Sequence, residues 1–225
     1  MKFEGTKVTG WENAIIGMRL PMSFNYEDAK SKIDSKFYSD GSFLEIGSSD
    51  LKVMKNLISA DVKGGIGQPN SKFLRMIHVQ VAVTAPMYWY SEADTYKVGV
   101  TRNSSSKMHK LASTPITKDC FENDDFENVK AFENHMTTSD YWGKSLIPYL
   151  ESLRVKYNGT KDKKYWKELI RMLPESWLQT SILDLDYATL KNIYRWRHNH
   201  RLAEWHTFCD WIKTLPLSSE LIIGE

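Results

Sequence analysis

The sequence predicts an α+β fold with a mainly antiparallel central sheet flanked by helices, because one strong strand pattern stands among segments of helical periodicity. In residues 73–90, large apolar residues alternate with polar or small ones, at Ile77, Val79, Val81 and Val83. This alternation is typical of a strand with one buried face, which we expect to lie centrally in the sheet. Pro86 interrupts the pattern, so residues 87–90 form either a new element or a continuation at the sheet edge.

The helical segments are predicted from apolar residues spaced three and four apart. A short strand opens the chain, and a helix follows over Trp11–Arg19, ended by Pro21. Further helices are expected over 48–60, 141–157 and 162–172, the last two separated by the turn Asn158-Gly159, and a long C-terminal helix over 187–215 with a break near Asn199. Residues 64–71 are predicted to be a loop, and residues 118–134, which are acidic and poor in aliphatic side chains, a surface excursion.

Composition limits the classes of function. The 225 residues are 41% hydrophobic, and 30 basic against 28 acidic residues give a net charge of +2. A net charge this small does not strongly indicate nucleic-acid binding. No segment has the apolar length that a membrane span requires. Two cysteines far apart, Cys120 and Cys209, suit a reducing compartment. We therefore expect a cytoplasmic protein with a single domain over residues 1–225.

A polar run at residues 101–107 is the best candidate for binding chemistry. Consecutive hydroxyls and Asn103 are flanked by Arg102 and Lys107, and such donors can hold the oxygens of a phosphate. The same composition also suits a solvated loop or a helix cap. Both interpretations remain open on composition.

Other reactive residues support weaker hypotheses. The basic cluster 195–201 suits an exposed helix face, and His198, His200 and His206 lack the spacing of four that brings two ligands to one helix face, so no metal is expected. Cys209 falls on an apolar stripe and Cys120 in the acidic segment, which disfavours a thiolate at both. The catalytic residues are therefore unknown.

Separated patches of the chain resemble flavin-dependent thymidylate synthases. Residues 78–86, ending in Ala-Pro, are similar to the extended segment that precedes the family's Arg-His-Arg signature. Counting forward without a gap places Arg-His-Arg on residues 95–97, which are Thr-Tyr-Lys here, the signature's second Ser on Ser105 and its final Arg on Lys107. A one-residue gap instead matches the signature's Asn to Asn103 and that Ser to Ser106. Residues 190–197 are similar to the family's Leu-x-Asn-Phe-Leu-x-Leu-Arg helix.

The resemblance implies ligands and partners. It implies that a deoxypyrimidine monophosphate is held by Ser105, Lys107 and Arg197, and that a flavin contacts Lys97, Asn103 and Asn192. It further implies a homotetramer, with a folate as one-carbon donor in a flavin-dependent modification at C5 of dUMP. Because two arginines and a histidine are exchanged for residues 95–97, we expect FAD binding to be weak or absent. The alternative is a catalytically inactive nucleotide-binding or protein-interaction module on the same scaffold.

Overall fold

Four β-strands form the main sheet of the computed structural model, which describes residues 1–64, 70–130 and 136–224. The strands along the chain are β1 (Lys2–Thr9), β2 (Lys36–Phe37), β3 (Phe43–Glu45), β4 (His78–Pro86), β5 (Val100–Ser104) and β6 (Leu178–Asp186). The main sheet has the order β1-β4-β6-β5, and β2 and β3 form a separate antiparallel pair. The expected α+β fold with a mainly antiparallel sheet is confirmed.

Side-chain contacts give the directions of the central strands. His78 lies 2.9 Å from Asp184, and Thr84 lies 2.7 Å from Thr180, so β4 and β6 run antiparallel. The amide of Asp186 donates to the carbonyl of Gly99, close to the start of β5. β4 thus takes the central position that its alternating sequence predicts.

The strand predicted from residue 73 begins later than expected, and of the two alternatives for residues 87–90 the structure shows a new element. Residues Lys72–Met76 form a 3₁₀ turn, and a helix begins directly after Pro86. Within β4 the alternation is as expected, because Val79, Val81 and Val83 are buried. Proline has no backbone N–H to extend the ladder, which favours a change of element at this point.

Strand β6 was missed by the sequence analysis. Its buried face carries Gln179 and Ser181 beside Leu183 and Leu185, while Ile182 on the other face is exposed. Polar residues on the buried face and an apolar residue on the exposed face hide the alternation on which strand prediction depends.

Ten α-helices occur among the described residues. They are α1 (Trp11–Arg19), α2 (Tyr26–Ser31), α3 (Ser48–Gly64), α4 (Met87–Ala93), α5 (Lys107–Lys110), α6 (Thr138–Tyr141), α7 (Ile147–Thr160), α8 (Lys163–Met172), α9 (Tyr187–Arg197) and α10 (Ala203–Lys213). Short π-helical turns occur at Trp142–Leu146 and Ser219–Ile223, and short 3₁₀ helices at Leu20–Met22, Lys72–Met76 and Lys118–Cys120. In the parts of the chain that the structure describes, none of the helices is long and apolar enough to cross a membrane.

One of the two predicted helix boundaries differs from the structure, and the other is confirmed. The predicted turn at Asn158-Gly159 lies inside α7, where the Asn158 side chain donates to the carbonyl of Ala112 at 2.8 Å. The chain instead turns at Lys161, which has a left-handed φ of 56°, and Asp162 then caps α8. The helix predicted over 187–215 with a break near Asn199 is indeed two helices, α9 and α10, separated at that residue.

The chain divides into two compact units, one of residues 1–83, 94–103 and 182–225 and one of residues 84–93 and 104–181. In the first unit, the buried ring of Trp11 makes edge contacts with Phe43 and Tyr187. In the second, a separate core includes Phe121 and Trp142. The single domain over residues 1–225 stays a prediction.

Phe121 shows how the predicted surface excursion contributes to that second core. Its ring is buried and makes edge contacts with Trp142 and Trp177. The aromatic residues of this segment thus supply packing that its scarcity of aliphatic residues conceals. Residues 131–134 of the excursion and 65–69 of the predicted loop lie outside the described residues.

Candidate functional site

An open pocket of about 1310 Å³ in the first unit is the candidate functional site. Its walls come from α9, from the segment before β5, from the end of α3 and from the C-terminal turn. The lining residues that carry polar or charged groups include Asp61, Arg75, Thr95, Tyr96, Lys97, Asp186, Thr189, Lys191, Asn192, Tyr194, Arg195 and His198. The volume exceeds that of ordinary small-ligand pockets, so a nucleotide or dinucleotide would fit.

Asp186 fixes the wall formed by α9. It is the N-cap of this helix, and its carboxylate accepts a hydrogen bond from the amide of Thr189 at 2.7 Å. The amide of Asp186 donates to the Gly99 carbonyl at 3.3 Å, and the Thr189 hydroxyl donates to the Val98 carbonyl at 2.9 Å. These bonds join the start of α9 to the segment that carries Lys97.

Gly99 is required at this junction. Its φ of +71° lies in the left-handed region, and a Cβ atom there would lie 2.3 Å from a carboxylate oxygen of Asp186 and 2.5 Å from the hydroxyl of Thr189. Both the backbone conformation and the available space therefore favour glycine.

The pocket carries more positive than negative charge. Among the lining residues that the structure describes, Arg75, Lys97, Lys191 and Arg195 contribute four cations, and Asp61 and Asp186 are the carboxylates. Asp186 is committed to capping α9. The lining therefore favours an anionic ligand.

Asp61 is buried and already satisfied by its neighbours. Its carboxylate accepts hydrogen bonds from the amide and side chain of Asn70 at 3.0 and 2.9 Å, and from the amide of Ser71 at 2.9 Å and its hydroxyl. Burial alone would raise the pKa of Asp61, but the bonds from Ser71 and Asn70 outweigh it and hold the pKa below its usual value. Asp61 is thus an ionised carboxylate that is fully engaged.

Lys191 is the half-buried cation of this pocket. Its ammonium group donates to the carbonyl of Leu221 at 3.4 Å. Burial lowers the pKa of Lys191, and the attraction of Asp61 offsets this only in part.

Two of the residues predicted to contact a flavin line the pocket. Lys97 comes from the segment before β5 and Asn192 from α9, so the fold brings together residues that are 95 positions apart. Asn103, the third, lies near the end of β5 and is exposed; it is not among the residues that line this pocket.

Arg197, predicted to contact a pyrimidine, is held by aromatic side chains. Its Nε donates to the hydroxyl of Tyr96 at 2.8 Å, and its guanidinium lies 4.7 Å from the ring centroid of Trp205 and 5.4 Å from that of Tyr96. Such stacking fixes the orientation of an arginine.

Ser105 and Lys107 lie in the second unit. The amide of Ser105 donates to the Thr180 carbonyl at 2.9 Å, and Lys107 is the first residue of α5, which is capped by Ser106. The polar run therefore includes a strand and a helix cap. The prediction that Ser105, Lys107 and Arg197 hold one ligand stays a prediction.

Arg75 and Lys191 line the pocket but were not predicted as site residues from the sequence. Lys191 directly precedes Asn192, and its spacing of four from Arg195 places both on one face of α9, which was a readable signal. Arg75 belongs to a short turn far away in sequence, and only the fold brings it to the pocket.

The buried position of Cys209 agrees with the sequence-based interpretation. Cys209 is buried on the apolar face of α10, and burial raises the pKa of its thiol to about 11. Within the described part of the chain, no cluster of His, Cys, Asp and Glu could hold a metal ion.

The sheet and helices together define the fold of flavin-dependent thymidylate synthases. The chain is similar to the flavin-dependent thymidylate synthase ThyX from Helicobacter pylori complexed with FAD and dUMP, with 14% identity and a TM-score of 0.61 over 99% of this chain and 98% of that one. A second structure of the Helicobacter pylori ThyX with FAD and dUMP gives a TM-score of 0.63 at 14% identity, covering 99% and 97%.

A methylase shares the same fold. The UMP/dUMP methylase PolB from Streptomyces cacaoi, bound with 5-Br dUMP, is 14% identical and covers 99% of this chain and 94% of that one, with a TM-score of 0.58. No family model and no curated protein matches the sequence.

Proposed function

We propose that the protein binds a deoxypyrimidine monophosphate and a flavin, and modifies C5 of dUMP in the manner of a flavin-dependent thymidylate synthase. The observation that carries the proposal is a cation-rich pocket, with Lys97 and Asn192 in its walls, on a fold shared with proteins solved with dUMP or its 5-bromo analogue. Cations and amide donors are the groups that recognise nucleotide phosphates.

The residues of the pocket fit a flavin nucleotide. The volume admits a dinucleotide, and the four cations suit its diphosphate. We assign Lys97 and Asn192 of the pocket to the flavin, together with Asn103 from the end of β5, which lies outside the pocket lining. We assign Ser105, Lys107 and Arg197 to the pyrimidine nucleotide. A bound flavin would supply redox chemistry and a folate the one-carbon unit, while these residues bind and orient the reactants.

Turnover is tested by incubating the protein with dUMP, methylenetetrahydrofolate, FAD and a reductant, and measuring dTMP. Formation of dTMP in proportion to protein supports the enzyme. Binding of dUMP without any C5-modified product would leave a nucleotide-binding module instead.

Lys107→Ala and Arg197→Ala are each expected to weaken dUMP binding by about 1.5 to 3 kcal/mol, because each would remove a charge-assisted hydrogen bond. Titration calorimetry with dUMP, dTMP and dCMP measures this. Lys110→Ala, which removes an exposed lysine from the same short helix α5, is the matched control and should bind like the wild type. The assignment fails if none of the three nucleotides binds the wild type, or if both alanine variants bind unchanged.

The protein is expected to purify with little or no flavin. Residues 95–97 supply one cation, Lys97, where flavin-dependent thymidylate synthases, the family that the chain resembles, have two arginines and a histidine. If each lost charged contact costs about 1.5 to 3 kcal/mol, losing two weakens affinity by roughly two to four orders of magnitude. Visible absorption of the purified protein measures retained flavin, and a yellow preparation with stoichiometric FAD would contradict the expectation.

A binding module without catalysis is the second candidate, and one contact favours it. Tyr96 stands where the resembling family has the histidine of its signature, and its hydroxyl holds Arg197 at 2.8 Å. Because the hydroxyl of Tyr96 is bonded to Arg197, Tyr96 is less able to contact a flavin. The turnover assay above separates the two candidates.

We further propose a homotetramer located in the cytoplasm. Light scattering is expected to give four times the mass of the 26.1 kDa chain. A strict monomer at high concentration would remove the basis for sites shared between subunits.

A further inference from the structure

Lys191 is a cation that α9 holds half-buried without a matching carboxylate. Its hydrogen bond to the carbonyl of Leu221 is long, at 3.4 Å. The contacts described for its ammonium group include this carbonyl but no carboxylate. A carbonyl dipole does not neutralise the ammonium charge.

The carboxylate that acts most on Lys191 is Asp61, and it is occupied elsewhere. Both of its oxygens accept hydrogen bonds from Asn70 and Ser71. Asp61 therefore attracts Lys191 at a distance but does not pair with it. Burial outweighs that attraction and lowers the pKa of Lys191.

An uncompensated, half-buried charge opposes folding. Removing an ammonium from water costs free energy that a methionine of similar shape would avoid. Lys191 lines an open pocket in which Arg195 lies four residues further along the same helix. Side chains four apart on a helix are neighbours, with Cβ atoms about 5 to 6 Å from each other. Two adjacent cations suit two adjacent phosphates.

We propose that Lys191 and Arg195 form a pair of cations that binds the diphosphate of a flavin adenine dinucleotide. This proposal rests on the proposed function. The pair supplies from α9 part of the positive charge that residues 95–97 lack, with Lys97 in the same pocket, so added FAD binds there although little flavin is retained during purification. The ammonium of Lys191 donates to phosphate oxygens, and the ligand becomes the counter-ion that the described residues do not provide.

The test compares Lys191→Met with the wild type in full-length protein. Binding of added FAD, followed by flavin fluorescence, is expected to weaken about 10- to 100-fold, while riboflavin, which has no phosphate, binds both proteins equally. Arg195→Met should show the same pattern. The unfolding temperature of Lys191→Met should equal or exceed that of the wild type, because the variant removes an uncompensated charge.

The control is Lys163→Met, which removes an exposed lysine at the start of α8. It should leave the affinity for FAD unchanged. Inorganic pyrophosphate is expected to raise the unfolding temperature of the wild type and of Lys163→Met, but not of Lys191→Met. Protection by pyrophosphate tests diphosphate binding at this site in the absence of a nucleotide.

Two results would overturn the inference: equal FAD affinity in Lys191→Met and wild type, or equal affinity of the wild type for FAD and riboflavin. Calorimetry with dUMP on the same samples tests the proposed function independently of the diphosphate-binding pair. Wild type that binds dUMP, with FAD affinity unaffected by Lys191→Met, refutes the inference alone. Pyrophosphate protection that requires Lys191, in a protein that binds no dUMP, refutes the proposed function and keeps the anion site.

Discussion

Replacing Arg19 with methionine is expected to lower the free energy of unfolding by about 3 to 5 kcal/mol, because it leaves a buried carboxylate without its cation. Asp50 is fully buried, and Arg19 reaches the same oxygen with Nε at 2.8 Å and with a terminal nitrogen at 2.6 Å. The other oxygen of Asp50 accepts bonds from the amides of Asp34 and Ser35 and from the Ser35 hydroxyl. The network joins α1 to the start of α3.

Urea unfolding monitored by tryptophan fluorescence measures the loss. The matched control is Lys36→Met, which breaks an exposed ion pair with Glu45 and should cost less than about 1 kcal/mol. Equal destabilisation by the two substitutions would show that burial of Asp50 does not set the cost.

Replacing Gly99 with alanine is expected to cost about 2 to 5 kcal/mol of stability, the sum of left-handed backbone strain and of steric overlap. The new methyl would lie 2.3 Å from Asp186 and 2.5 Å from Thr189, so the cap of α9 has to move. Nucleotide binding is expected to fall about tenfold or more, because the wall carrying Asn192 shifts with the helix.

Gly41→Ala separates strain from overlap. Gly41 has a similar φ of +79°, but a Cβ there would meet no atom within 4 Å apart from those of its chain neighbours. This control should lose about 1 to 2 kcal/mol and keep full nucleotide binding. Thermal unfolding and calorimetry measure both properties, and comparable losses in the two variants would contradict the role given to the Asp186 cap.

Sequence patterns predicted the elements whose buried faces are chemically uniform. β4 was recognised because valines occupy its buried face, whereas β6 was missed because Gln179 and Ser181 are buried there. Gln179 is compatible with burial because its side-chain amide donates to the carbonyl of Ser105, a partner that local sequence does not show. The predicted helix break near Asn199 was correct, and the one at Asn158 was not.

For the candidate site, family resemblance pointed to Lys97 and Asn192, which line one pocket. Arg75 and Asp61 carry no such signal, since their place in the pocket depends on contacts between distant segments. Arg197 was predicted as a ligand contact, and its engagement with Tyr96 and Trp205 depends on tertiary packing in the same way. Periodicity reports which face of an element is buried, but not which other element covers it.

The absence of a linker between β6 and α9 couples strand register to helix phase. β6 ends at Asp186 and α9 begins at Tyr187, so the sheet determines the angle at which the helix starts. Each residue advances an α-helix by about 100°, so a one-residue insertion at this junction would turn Asn192 and Lys191 away from the pocket by that angle. Insertions and deletions at this junction should therefore disrupt the pocket, even where substitution of individual side chains is tolerated.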